Sequence, residues 1–127
     1  MVRVCYNKQV IKLRRGQIVI VMGERNAGKT YLLDLLRSAS GEVRCLDEPT
    51  AHDEFTAPER HQIRQSILTD HTDYTVIASH NVSDIMMASR VIFLRDRQVY
   101  YDDHPHEFVY SDDEYIRYFL RERSVFC

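Results

Sequence analysis

A chain of 127 residues and 15.0 kDa can bury one modest core and not two, so residues 1–127 are expected to form a single compact domain. Hydrophobic content of 44%, charged content of 28%, four glycines and three prolines place it among ordinary globular proteins and leave little room for a disordered class. A net charge of −2 argues against a chain-wide nucleic-acid footprint, although 14 of the 17 basic residues are arginine, the cation suited to specific anion contacts.

Cys5, Cys45 and Cys127 are odd in number, far apart and without metal-ligand spacing, the pattern of reduced thiols in a cytoplasmic protein. The opening MVRVCYNKQV lacks the apolar run of a secretion signal, and no stretch approaches the roughly 20 apolar residues that span a bilayer. The expected location is cytoplasmic without membrane insertion, peripheral to a membrane only through a partner. No repeat or low-complexity tract interrupts the chain.

The elements alternate in kind. QIVIVMG (17–23) is a nearly continuous apolar run rich in β-branched residues, as expected of a central strand covered on both faces. Next comes KTYLLDLLRSAS with apolar residues at 32, 35, 36 and 39, a helical spacing that Gly41 stops. EVRCLDE (42–48) alternates, with Val43, Cys45 and Asp47 on one side and Arg44 and Leu46 on the other, which predicts an exposed edge strand. Thr56 and Glu59 read as a capping box around Pro58, opening a helix to about His71 with a stripe of Ile63, Ile67 and Leu68.

YTVIAS (74–79) is the next strand. NVSDIMMA follows as a short helix capped by Asn81 or Ser83, RVIFLRD (90–96) as another strand, and RQVYYDD as its hairpin return. Ser111 with Glu114 reads as a second capping box, for a final helix that docks through Ile116, Phe119 and Leu120. Strands alternating with helices predict an α/β three-layer sandwich, a mostly parallel sheet with helices on both faces.

The chemistry concentrates at GERNAGKT (23–30). Gly23, Gly28, Lys29 and Thr30 satisfy the pattern G-x-x-x-x-G-K-[ST] between a strand and a helix. Such a turn aims successive backbone N–H groups at phosphate oxygens, and the following helix adds its positive end. Gly23, Glu24, Arg25, Asn26, Ala27, Gly28, Lys29, Thr30 and Tyr31 are therefore the candidate nucleotide-binding residues, with Asn26 suited to a left-handed backbone. Lys29 is expected to reach the β- and γ-phosphates and Thr30 to ligate Mg²⁺. Asp47 and Glu48 close the strand that ends in CLDEPT (45–50): one carboxylate can hold Mg²⁺ through water while its neighbour orients a hydrolytic water.

LDEPT, after the phosphate loop, resembles the Walker B segment of the ATP-binding cassette (ABC) ATPases. TVIASHNVSDIMMASRVIFLRDRQVYYDD is similar to that family's switch segment, and KLRRGQIVIVMGERNAGKT and SGEVR to its leading strand and the stretch after its first helix. The resemblance covers nearly the whole chain. It implies a P-loop NTPase core with the 74–79 strand between the P-loop and Walker B strands, and ATP and Mg²⁺ as ligands. By the same match Glu48 is the general base, His80 the switch residue facing the γ-phosphate, and Tyr6 the aromatic that stacks on adenine. Tyr6 also reads as an ordinary strand aromatic, and His80 as a cap of the following helix.

The departures are equally specific. No glutamine lies between Tyr31 and Arg44, so the Q-loop is missing, as are the helical subdomain and the L-S-G-G-Q signature; AHDE (51–54) stands where an S-A-L-D-like loop is usual. The chain thus resembles a reduced ABC-type core without the lobe that completes a partner's site. The resemblance implies slow conversion of ATP to ADP and phosphate unless a homodimer, or a larger ABC-type or membrane partner, completes the site. The alternative is a regulatory or decoy module that pairs with a full-length ABC ATPase; a small kinase is a third class, disfavoured by LDEPT with His80. His104 and His106 beside Asp102, Asp103 and Glu107 have the composition of a metal cluster, but Pro105 marks a turn there. Met86 and Met87 read as core filler, and five tyrosines between 100 and 118 as either helix docking or an exposed surface.

Overall fold

The computed structural model describes residues 1–51, 54–69 and 74–124. Strands β1 (Val2–Tyr6) and β2 (Gln9–Leu13) form an antiparallel hairpin, a two-stranded sheet of its own. The main sheet comprises β3 (Ile18–Gly23), β4 (Val43–Asp47), β5 (Tyr74–Ala78), β6 (Arg90–Arg95) and β7 (Gln98–Asp103), in the order β4-β5-β3-β6-β7. Its first four strands are mutually parallel and β7 returns antiparallel, with a bulge at Phe93/Leu94. The helices are α1 (Lys29–Ala39), α2 (Ala57–Thr69), α3 (Pro105–Val109) and α4 (Glu114–Ser124), with a 3₁₀ segment at Val82–Met87.

Alternate residues of each central strand feed opposite layers, as the period-2 geometry of a strand requires. Val19, Val21, Val76, Ala78, Ile92 and Leu94 pack on α1 and the β1–β2 hairpin. Ile20, Met22, Ile77, Val91 and Phe93 face α2, the 3₁₀ segment, α3 and α4. The sandwich is therefore three-layered as expected, except that one outer layer is a helix plus a hairpin.

Phe93 is the centre of the second layer. The rings of Tyr100, Phe108, Tyr115 and Phe119 surround it at centroid distances of 5.9, 5.3, 5.5 and 4.8 Å. Phe93→Ala is expected to cost about 3–5 kcal/mol, since four rings cannot collapse together into the space left behind. Urea unfolding of the wild type and the variant measures it.

The expected β4 edge is observed, and β5 sits between β4 and β3. The capping box of α2 is formed in both directions: Thr56 N–H donates to Glu59 Oε1 at 3.0 Å and Glu59 N–H to Thr56 Oγ1 at 3.2 Å. The expected end of that helix near His71 lies outside the described residues. Asn81, one of the two candidate caps, accepts from Ser83 N–H at 3.1 Å at the head of the 3₁₀ segment.

Several expectations are corrected. Leu33 is buried in α1 where the pattern placed Ala39, which is exposed. The cap of α4 is Asp113 rather than Ser111: its Oδ1 accepts from Tyr115 and Ile116 N–H at 2.9 and 3.0 Å, while Ser111 Oγ accepts from Asp113 N–H. Residues 105–109 form a helix with proline in its first turn, where a plain turn was expected. Only Met87 of the methionine pair is buried; Met86 is 89% exposed. The C-terminal tyrosines divide, with Tyr100 and Tyr115 against Phe93 while Tyr110 and Tyr118 face solvent.

Candidate nucleotide site

The strand register brings the motif residues to one end of the sheet. Val21 is in register with Ala78, and Ala78 with Asp47, so all three stand in one row across β3, β5 and β4. At the usual strand spacing that row is about 10 Å wide. Gly23, Glu48 and His80 follow within two residues, at the carboxyl ends of their strands, the place where open α/β sheets bind ligands.

The 23–31 loop has the conformation that anion binding needs. Asn26 is left-handed at φ 68°, as its residue type suggested, and Ala27 N–H closes a turn on Glu24 C=O at 3.0 Å. Gly28 (φ 105°) is the N-terminal boundary of α1 and makes no side-chain cap, so the positive end of the helix opens on the loop. A Cβ on Gly28 would collide with the Tyr6 hydroxyl, and one on Gly23 would lie 2.7 Å from Leu94 C=O, so both positions demand glycine. Lys29 curls back over the loop and donates from Nζ to Gly23 C=O at 2.7 Å, which places its ammonium on the loop itself. Arg25, Asn26, Thr30 and Tyr31 are exposed at the rim.

Tyr6 is corrected. Its side chain is 0% exposed, and a ring so enclosed presents no face to a base. It lies beneath the loop instead, its hydroxyl donating to Gly28 C=O at 3.3 Å. Burial pushes the phenol up, opposed by the charge of Arg97, so the hydroxyl stays a donor. Arg97, in the β6–β7 turn, donates N–H to Ala27 C=O at 2.9 Å, and Asn7 of the β1–β2 turn donates Nδ2–H to Arg97 C=O at 2.6 Å. Two hairpin turns therefore brace the loop from one side. The exposed aromatic beside it is Tyr31, 47% exposed, its ring 5.6 Å from that of Tyr6.

On the opposite side, Glu48 N–H donates to Ala78 C=O at 2.7 Å, with the Glu48 backbone held at φ 51°. That left-handed conformation is uncommon for glutamate and cluster-prone at functional sites. It turns the carboxylate toward β5, where Glu48 Oε2 accepts from His80 Nδ1 at 2.9 Å and from His80 N–H at 3.2 Å. His80 thus does not cap the following segment, which Asn81 does. Asp47 is exposed at the strand end.

The structure thus brings Glu48 and His80 together and places Asp47 and the loop at the same edge. Sequence reasoning missed Asn7 and Arg97, whose contacts depend on two hairpin turns with no glycine to announce them.

An α/β P-loop architecture with these motifs at its carboxyl edge defines the class. No family's sequence profile matches the chain, and no curated protein does. Among solved structures it is similar to the ATP-binding cassette MJ0796 in a dimeric post-hydrolysis state bound to ADP and Pi. That match has a TM-score of 0.64 and 11% identity, covering 82% of this chain and 96% of that one. A second dimeric structure of MJ0796, a bacterial ABC transporter cassette, matches with a TM-score of 0.64 and 10% identity over 82% of this chain and 95% of that chain. The fold is that of the ABC ATPase cassettes. Among the described residues, no helix is long and apolar enough to cross a membrane.

Proposed function

We propose that this chain is a reduced ABC-type module that binds Mg·ATP on the 23–31 loop and hydrolyses it slowly, faster when a second copy or a larger ABC-type partner completes the site. The observation that carries the reading is the juxtaposition at one sheet edge of a glycine-dependent loop bearing Lys29 with the hydrogen-bonded Glu48–His80 pair.

Each residue has a part. The N–H groups at the head of α1 take phosphate oxygens, and Lys29 exchanges its Gly23 carbonyl for the β- and γ-phosphates. With Tyr6 enclosed, the base falls to Tyr31, whose exposed ring can stack. The donor set suits a magnesium ion, since Thr30 and Asp47 are exposed hard oxygen ligands at the same edge. Thr30 and Asp47 would hold the ion, which would supply charge neutralisation at the phosphates. Glu48 accepts a proton from the attacking water, and His80, already bonded to Glu48, orients it and faces the γ-phosphate. A lone copy lacks the external donors that preorganise such a transition state, which are worth several kcal/mol.

The alternative, a regulatory or decoy module lending half a site to a full-length ABC ATPase, draws on the same loop and on the absence of a signature segment. The proposal implies a cytoplasmic protein, held at a membrane only through such a partner.

Calorimetric titration with ATP, with and without Mg²⁺, tests the reading, paired with mass measurement of the oligomer and phosphate release. One metal-dependent site per chain with slow release is expected, and a doubled mass under ATP indicates the homodimer. A flat titration at millimolar ATP overturns the proposal. Binding without release, in a chain that captures a full-length cassette ATPase and alters its turnover, favours the regulatory form.

A further inference from the structure

Behind the Glu48–His80 pair lies a carboxylate that the proposed chemistry does not use. Asp84 is 0% exposed and is the one charged side chain fully buried among the described residues. Its Oδ2 accepts from Ser79 Oγ at 2.6 Å and from Thr50 Oγ1 at 2.7 Å, and its Oδ1 accepts from Arg64 Nε at 2.8 Å. Ser79 and Thr50 are themselves buried, at 0% and 1% exposure. Arg60 Nε–H adds a bond to Thr50 C=O at 3.0 Å, so α2 grips this centre through two arginines.

The chain positions of the two hydroxyls give the arrangement its meaning. Thr50 is two residues beyond Glu48, and Ser79 immediately precedes His80. A single carboxylate oxygen therefore fastens the segment carrying Glu48 to the segment carrying His80. Ser79 is fixed further, its N–H donating to Val21 C=O at 3.1 Å and its Oγ accepting from Asn81 N–H at 3.0 Å. A buried carboxylate is kept only where its acceptor sites are filled, and charge-assisted bonds of this length resist distortion. A left-handed glutamate likewise persists only where its surroundings over-determine it.

We infer that Asp84 is a positioning residue: through Thr50 and Ser79 it sets the mutual placement of Glu48 and His80, and through Arg64 it links that placement to α2. The catalytic meaning of the pair rests on the proposed function, but its geometry exists without nucleotide and is measured without it. A shift of α2, by a partner seated on it, would reach Glu48 and His80 through the same carboxylate.

The test uses the nucleotide-free chain and the ¹⁵N resonances of the His80 ring. Thr50→Val removes one hydroxyl at nearly constant volume, Asp84→Asn replaces the acceptor pair with a mixed group, and Thr50→Ser restores the hydroxyl. Glu48→Gln alters the pair directly and supplies the reference shift. Thr50→Val and Asp84→Asn are expected to move the His80 Nδ1 signal, while Thr50→Ser leaves it and the His104 and His106 signals stay in place. A general loosening would move the latter two. In turnover, the same two variants are expected to lose about tenfold or more in kcat with KM within about threefold.

Folded Thr50→Val with an unshifted His80 signal overturns the inference, and that variant carries the test if Asp84→Asn fails to fold. A wild type without turnover, in which the His80 signal nonetheless responds, overturns the ATPase reading alone.

Discussion

Lys29→Ala is expected to weaken ATP binding by about a hundredfold or more while leaving the fold intact. The wild-type ammonium lies on the 23–31 loop, 2.7 Å from the Gly23 carbonyl, a neutral acceptor that a phosphate oxygen readily displaces. Hydrogen bonds to charged groups contribute about 1.5–3 kcal/mol each, and one ammonium serving two phosphates makes two of them. Their loss amounts to about 3–6 kcal/mol, and each 1.4 kcal/mol is tenfold in affinity. The loop conformation itself depends on Gly23, Gly28, the left-handed Asn26 and the braces from Tyr6 and Arg97, none of which the substitution touches. Calorimetry with Mg·ATP gives the affinity, and circular dichroism checks the fold. A loss of less than tenfold in a folded variant would mean that phosphates do not bind where Lys29 lies.

The interior of the sheet was open to reading because its strands are buried on both faces and therefore carry mostly apolar runs, as in 18–22 and 74–78. β4 announced itself as an edge by alternating, and the structure leaves it with β5 as its partner on one side. The 23–31 loop was legible because its backbone demands are local: a glycine at φ 105° and an asparagine at φ 68°. Tyr6 shows where local reading stops. An aromatic at the end of a strand looks the same whether it faces a base or lies beneath the loop, and its burial follows from a hairpin turned at Asn7 and Lys8, both left-handed without being glycine. The Asp84 centre was invisible for a related reason. Its hydroxyl and guanidinium partners are 34, 20 and 5 positions away, and only the folded sheet brings them together. Ser111 lost the α4 cap to Asp113 because a carboxylate directly before the helix accepts two N–H groups at once.

Glu48→Gln is expected to abolish most phosphate release, by about a hundredfold to ten-thousandfold, while ATP binding is kept. Glutamine has the shape of glutamate, and its carbonyl oxygen can still accept from the His80 ring and backbone N–H groups that now hold Oε2 at 2.9 and 3.2 Å. The strained backbone at φ 51° and the Glu48 N–H bond to Ala78 are untouched, so the side chain keeps its aim and loses only its basicity. A positioned base contributes about 10²–10⁴ in rate, equivalent to about 3–5 kcal/mol of barrier. Removing a negative charge from the vicinity of the γ-phosphate also favours the bound state, so affinity is expected to hold or rise. If two copies close on ATP, the variant should accumulate as a dimer, because the step that would reopen it is blocked. Single-turnover phosphate release, run beside mass measurement in ATP, separates the effects. Release at the wild-type rate would move the proton acceptor away from Glu48, and a parallel His80→Ala series would then show whether the imidazole takes that part.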